Sequence, residues 1–174
     1  MPTSTRTATK PGLSKKAVQL IAPNAVELLK SDHKEVKALF RAYEKLVKSA
    51  AGNEEKQTLA EQICTMVTVH AIVEEEIFYP AVRSAVAEQD LLDEAEVEHA
   101  SAKDLITQIQ SMTPSDNFYD AKVKVLGEYI DHHVEEEESE MFPESRESDL
   151  DLKALGAQLA KRKAELMAQA GKKR

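Results

Sequence analysis

Apolar residues recur at three- and four-residue intervals along most of the chain, and breaks in that rhythm divide it into helices. Val26, Leu29, Val36, Leu39, Phe40, Tyr43 and Val47 make one stripe with His33 inside it, predicting a helix from Pro23 to about Ser49. Ala50, Ala51, Gly52 and Asn53 interrupt it. A second helix is expected over Glu54–Tyr79, with Leu59, Ile63, Met66 or Val67, His70, Val73, Glu74 and Ile77 facing in. Pro80 lacks an amide donor and should end or kink that helix, with helix resuming over Ala81–Glu88 and a corner near Asp90. The third helix spans about Leu91–Met112, with Leu92, Ala95, His99, Ala102, Leu105 or Ile106, and Ile109 inward. Pro114 suits the first turn of a fourth helix from Ser115 to about Met141, carrying Phe118, Val125, Leu126, Tyr129 or Ile130, His133 and Glu137, with Pro143 as its stop. Glu144–Asp149 reads as a charged linker, and Leu150–Ala168 as a last helix with Leu152, Leu155, Leu159 and Leu166 on one side.

Four long helices joined by short breaks predict an all-α, up-down-up-down four-helix bundle with an additional C-terminal helix. Residues 1–20 form a flexible basic tail in this reading, 21–144 the bundle, and 145–174 the last helix and a basic tail.

Composition supports helix and narrows the class. There is no Trp, there are five Gly and six Pro, and 42% of residues are apolar, enough for one core in a chain of 174. A net charge of −8 argues against a general nucleic-acid binder. The single cysteine, Cys64, excludes a disulfide framework and reads as a buried thiol. No apolar run nears the roughly 20 residues of a membrane span, and the first residues lack a secretory apolar core, so a cytoplasmic location is expected. The run Lys161-Arg162-Lys163 reads as a solvated face, or as a surface that docks on an acidic partner or on the bundle itself.

The chemistry lies in an internal repeat. His70, Glu74 and Pro80 return 63 residues later as His133, Glu137 and Pro143. Asp32-His33 returns as Glu98-His99, with a Lys four residues after each His, at an offset of 66. On a helix, residues i and i+4 lie roughly 40° apart, so each His and Glu can converge on one point. In an up-down bundle His33 lies roughly 15 Å from the end of its helix, and His70, His99 and His133 fall at similar heights. Four imidazoles and two carboxylates in one layer are too many ligands for a single tetrahedral zinc. Shared between two ions with Glu74 and Glu137 bridging, they leave positions for water, hydroxide or a small diatomic molecule, a composition suited to redox-capable iron. His132 and Glu136 also satisfy the spacing, but alignment with the second helix selects His133 and Glu137. His132 is then a flanking group, and Glu75, Glu76, Glu135, Glu136 and Glu138 a largely solvated acidic face. Glu96 could complete an ion's shell, although a surface role is the simpler expectation, as it is for the hydroxyls of Tyr43 and Tyr129.

From Ala22 to Pro143 these residues resemble the hemerythrin-like, or HHE, cation-binding domain: His33, then His70-x-x-x-Glu74, then His99, then His132-His133-x-x-Glu136-Glu137. The resemblance implies a non-haem di-iron centre with His33, His70, His99 and His133 as terminal ligands and Glu74 and Glu137 as bridges. It implies small ligands, dioxygen, peroxide or nitric oxide, handled by a sensor, scavenger or weak peroxide-disproportionating enzyme with a separate electron donor or protein partner. Oxygen-carrying members have a second His four residues along the third helix. Here that position is Lys103, which implies a more open or carboxylate-rich centre. The alternative function is a metal-responsive structural or interaction module without redox chemistry.

Overall fold

The computed structural model describes residues 23–86 and 89–172, all helices and turns. The expected tail at 1–20 lies outside the described residues, as do Ala87 and Glu88 of the resumed second helix. The helices are α1 (Ala25–Lys48), α2 (Asn53–Val73), α3 (Tyr79–Ala85), α4 (Asp90–Gln110), α5 (Tyr119–Glu136), α6 (Phe142–Glu147) and α7 (Leu152–Lys172). One turn of π-helix, Glu74–Phe78, joins α2 to α3, and another, Glu137–Met141, joins α5 to α6. The long rods α1, α2, α4 and α5 pack in a ring of four, each against its neighbours, and α7 lies across α1 and α2 as an added helix.

Local chemistry sets the start of α1. The Asn24 side chain accepts from the Glu27 amide at 3.0 Å, and Glu27 accepts in return from the Asn24 amide at 3.3 Å, satisfying two donors that a helix start leaves over. At Gly156 of α7 an added Cβ would lie 2.3 Å from the Pro23 carbonyl oxygen and 2.7 Å from the Ala25 amide nitrogen. The absence of a side chain there lets α7 press directly on the start of α1.

The two prolines do not stop their helices. Each occupies the second position of a new helix, where no amide donor is required, and the preceding π turn absorbs the discontinuity. The fourth helix therefore continues past Pro143 to Glu147, and the break shrinks from the expected linker to Ser148–Asp151. The fourth helix also begins later than expected. Phe118, placed inward by periodicity, has φ 70° and is 76% exposed, so the helix starts at Tyr119 and Pro114 lies in the preceding turn. Tyr129 is exposed as well, leaving Leu126 and Ile130 to fill the core.

That core has two parts. Leu29, Val73, Phe78, Tyr79, Leu92, Met141, Phe142 and Leu159 form one apolar cluster, and Val36, Ile63, Cys64, Val67, Ile106, Leu126 and Val134 belong to the other. In chain order His33 falls between them on α1 and His99 between them on α4. A layer of buried polar groups, His33, Glu74, His99, His133 and Glu137, thus separates two hydrophobic plugs. Cys64 lies in the second plug, and burial pushes its thiol up to about 12, the behaviour of an inert packed side chain.

Candidate metal centre

The polar layer is built by the repeat. His33 Nε2 faces His70 Nε2 at 3.0 Å, and His99 Nε2 faces His133 Nε2 at 3.1 Å, so the four imidazoles form two pairs. The carboxylates lie between the pairs. Glu74 has Oε1 3.1 Å from His70 and Oε2 3.5 Å from His99. Glu137 Oε2 is 3.2 Å from His33 and 3.6 Å from His133. All six residues proposed from spacing therefore meet at one level, five of them fully buried and His70 at the rim.

Three of the four histidines are turned by an acid hydrogen-bonded behind the ring. His33 Nδ1 donates to Glu138 at 3.0 Å, His99 Nδ1 to Glu75 at 2.9 Å, and His133 Nδ1 to Glu98 at 2.8 Å. His70 Nδ1 stands 3.6 Å from Asp32, a looser version of the same contact. A carboxylate only accepts, so it fixes the proton on Nδ1 and points the Nε2 lone pair inward. The acids follow the repeat: the residue before His33 or His99 serves the His of the next helix, and the residue after Glu74 or Glu137 serves the His of the preceding hairpin or the next. Glu75 and Glu138 are thus positioning groups rather than the solvated face expected of them. Their role becomes visible only once helices pack, because no local spacing links Glu138 to His33.

The donor set fits cations. Neither oxygen of Glu74 nor Oε2 of Glu137 has a hydrogen-bond donor, although both side chains are buried. Such orphaned carboxylate oxygens are costly in a protein interior without a positive charge. Ligand atoms about 2.1 Å from a common ion stand roughly 3.0–3.4 Å apart, close to the separations here. Facing imidazole lone pairs also repel at 3.0 Å unless a proton or cation lies between them. The groupings His33, His70, Glu74, Glu137 and Glu74, His99, His133 each have ligand atoms within 4.8 Å of one another.

Charge coupling shapes the titration of this layer. Burial disfavours charge on His70, but Glu74, Asp32 and Glu137 outweigh it and raise the imidazole to about 10. Burial likewise opposes ionisation of Glu137, yet His133, His33 and His70 hold its carboxyl down at about 2. His99 is lowered, by burial first and by its partner His133.

Sequence reasoning missed Tyr79. Its hydroxyl donates to Glu137 Oε1 at 3.0 Å and lies 3.3 and 3.4 Å from Nε2 of His99 and His133. In an α-helix a residue five beyond Glu74 points roughly 140° away; the π turn brings Tyr79 back toward the layer. The π turn itself is the signal, and a proline ten residues after each His is its only trace in the sequence. Tyr43, by contrast, donates to Asp120 at 2.7 Å, far from the layer, and Glu96 pairs with Arg83 at the surface. Beside the histidines is a cavity of about 80 Å³ walled by Val36, Val67, Ala102, Ile106, Ile130 and Val134. That space suits a diatomic molecule or a few waters and excludes a large substrate.

The sequence model of the hemerythrin HHE cation-binding domain matches residues 24–145, most of the chain. The chain belongs to the hemerythrin HHE cation-binding domain family. Its fold superposes on the crystal structure of a hemerythrin HHE cation-binding-domain protein from Mycobacterium kansasii with a TM-score of 0.69 and 26% identity, covering 84% of this chain and 89% of that one. A DNA nickase from Nostoc sp. is 32% identical over 119 residues, 68% of this chain and 32% of that protein. This HHE chain therefore spans about a third of the length of that curated relative. Among the described residues no helix of the HHE protein is long and apolar enough to cross a membrane.

Proposed function

We propose that this HHE protein holds two iron ions in the buried layer and uses them to bind or reduce small oxidants, dioxygen, peroxide or nitric oxide. The observation that carries this reading is the pair of imidazole couples sharing Glu74 and Glu137, with the Nε2 atoms of His33, His99 and His133 aimed inward by an acid hydrogen-bonded behind the ring. His33, His70 and the near oxygens of Glu74 and Glu137 would hold one ion; His99, His133 and the same carboxylates would hold the other. When bound, paired iron supplies two electrons and Lewis acidity to a small ligand beside it.

The chain's own residues do the rest. The apolar walls of the cavity admit small neutral molecules and keep bulk water scarce. Tyr79 holds a proton 3.0 Å from Glu137 Oε1, where it can donate to a neighbour that gains negative charge. Lys103, in place of a further imidazole, is drawn outward to Glu75 and leaves the His99–His133 side with fewer nitrogens. That opening favours reaction over simple carriage.

DNA nicking is named for a relative about twice as long, only 32% of which this chain matches, and is not proposed for this chain. The acid excess of this chain, and the tying of Arg162 to Glu76 and Lys163 to Asp32, leave its basic run engaged with its own bundle. The test is elemental analysis and a peroxide assay on aerobically purified protein. About two iron per chain, with near-ultraviolet absorption and oxygen evolved from hydrogen peroxide or bleaching by nitric oxide, is expected. Zinc or no metal, with no response to any of the three oxidants, would overturn the reading and favour the structural module.

A further inference from the structure

Behind the four histidines the acids are themselves neutralised, and here the repeat is broken in one place. Lys30 lies 2.8 Å from Glu138, Lys103 2.5 Å from Glu75, and Lys163 2.5 Å from Asp32. The fourth acid, Glu98, corresponds to Asp32 in the repeat, but the lysine that serves Asp32 comes from α7, which has no counterpart on the other side of the bundle. Among the described residues no Lys or Arg reaches Glu98. Instead its Oε1 faces His132 Nε2 at 3.6 Å, and His132 faces Glu136 Oε1 at 3.4 Å. The three ligand atoms lie within 4.8 Å of one another.

We infer that Glu98, His132 and Glu136 form a second, separate site on the rim of the bundle that takes a divalent first-row transition-metal cation from solution. The ion does for Glu98 what lysine does for the other three acids. One imidazole and two carboxylates suit Mn(II), Fe(II) or Zn(II), with water completing the shell at an exposed position. The separations of 3.4 and 3.6 Å are close to those of atoms sharing one ion at about 2.1 Å. His132 is 62% exposed along its side chain, so hydrated cations can reach it. Glu98 then has a divided role. Its Oε2 accepts the His133 Nδ1 proton at 2.8 Å while its Oε1 meets the rim ion, so one carboxylate links the surface site to the buried layer.

The site is distinct from an acidic surface that merely concentrates cations. Glu135 and Glu128 are exposed acids on the same helix and lie outside the grouping. They provide the control.

The experiment is equilibrium dialysis of the as-isolated protein against Mn(II) in about 0.1 M salt, which screens diffuse attraction, with manganese and iron measured together. About one Mn(II) per chain is expected on the wild type. His132→Ala and Glu136→Gln should weaken it at least about tenfold with iron content unchanged. Glu135→Gln and Glu128→Gln should leave it as it was. Circular dichroism establishes that the variants fold, as expected for changes to partly exposed side chains. Equal Mn(II) binding by wild type and His132→Ala overturns the site, as does an equal loss with Glu135→Gln or no Mn(II) on the wild type. Because iron is read separately, protein without iron would refute the buried centre while the rim site stands or falls on manganese alone.

Discussion

Replacing Glu137 by Gln keeps the shape of the side chain and removes one charge from the centre of the layer. Glu137 is 1% exposed and lies within 3.6 Å of two imidazoles on different helices, with Tyr79 donating to its other oxygen. Its carboxyl stands at about 2 against an ordinary 4.5, so the ionised form is favoured by the fold. At roughly 1.4 kcal/mol per unit that preference is of order 3 kcal/mol at neutral pH, an upper figure because the imidazoles rearrange when their partner changes. For a chain of this length about 3 kcal/mol corresponds to a fall in Tm of roughly 6–12 °C. A depressed carboxylate contributes its stability in full above its unfolded value and loses it as pH falls toward the folded one. The gap between wild type and Glu137→Gln, measured on chelator-treated protein by denaturant titration, should therefore be widest above pH 4.5 and close as pH approaches 2. Iron content gives the functional half of the test: in the proposed two-iron arrangement Glu137 would serve both ions, so its loss should lower iron affinity well beyond tenfold. Glu136→Gln, one position away and on the rim, should keep its iron. Full iron in Glu137→Gln, or equal loss in both variants, would refute the assignment of the inner register to the 133/137 pair.

Three further outcomes can be measured, two at the polar layer and one where α7 meets α1. His70, raised to about 10, holds a proton at neutral pH that a metal must displace, so Co(II) affinity measured by chelator competition should rise by about one log unit per pH unit between pH 7 and 9; a flat profile would show that no proton is released there. In the chelator-treated protein the same proton stabilises the fold below pH 6.5 and its contribution fades as pH climbs through 10. Gly156→Ala would drive a methyl into the Pro23 carbonyl, where backbone and not a flexible side chain must yield, and should cost about 1–3 kcal/mol in chemical denaturation; an unchanged midpoint would mean that α7 does not seat as described.

The HHE fold was legible because its signals are local. Period-3.6 stripes on each long helix, turn residues at Gly52 and Pro114, and a repeat that sets His33 against His99 and His70 against His133 are all properties of residues a few positions apart, or of spacing preserved between two copies. Equal distance along rods of equal rise fixes equal height, which is why six side chains on four helices could be assigned to one layer before any of them was seen together.

What required the tertiary structure is contact across helices and departure from α geometry. The pairing of Glu138 with His33 and of Glu75 with His99 joins segments that share no sequence spacing. A proline reads as a stop by its missing donor, and only the packed bundle, which favours burying Tyr79 and Phe142 against the layer, turns that interruption into a π turn with helix beyond it. Likewise the basic run of α7 is a solvated stripe by composition, and docking places Lys163 on Asp32 and Arg162 on Glu76. Order and spacing along the chain set which side chains lie at which height. Close packing decided which way each one points, because direction depends on neighbours that the chain brings in from far away.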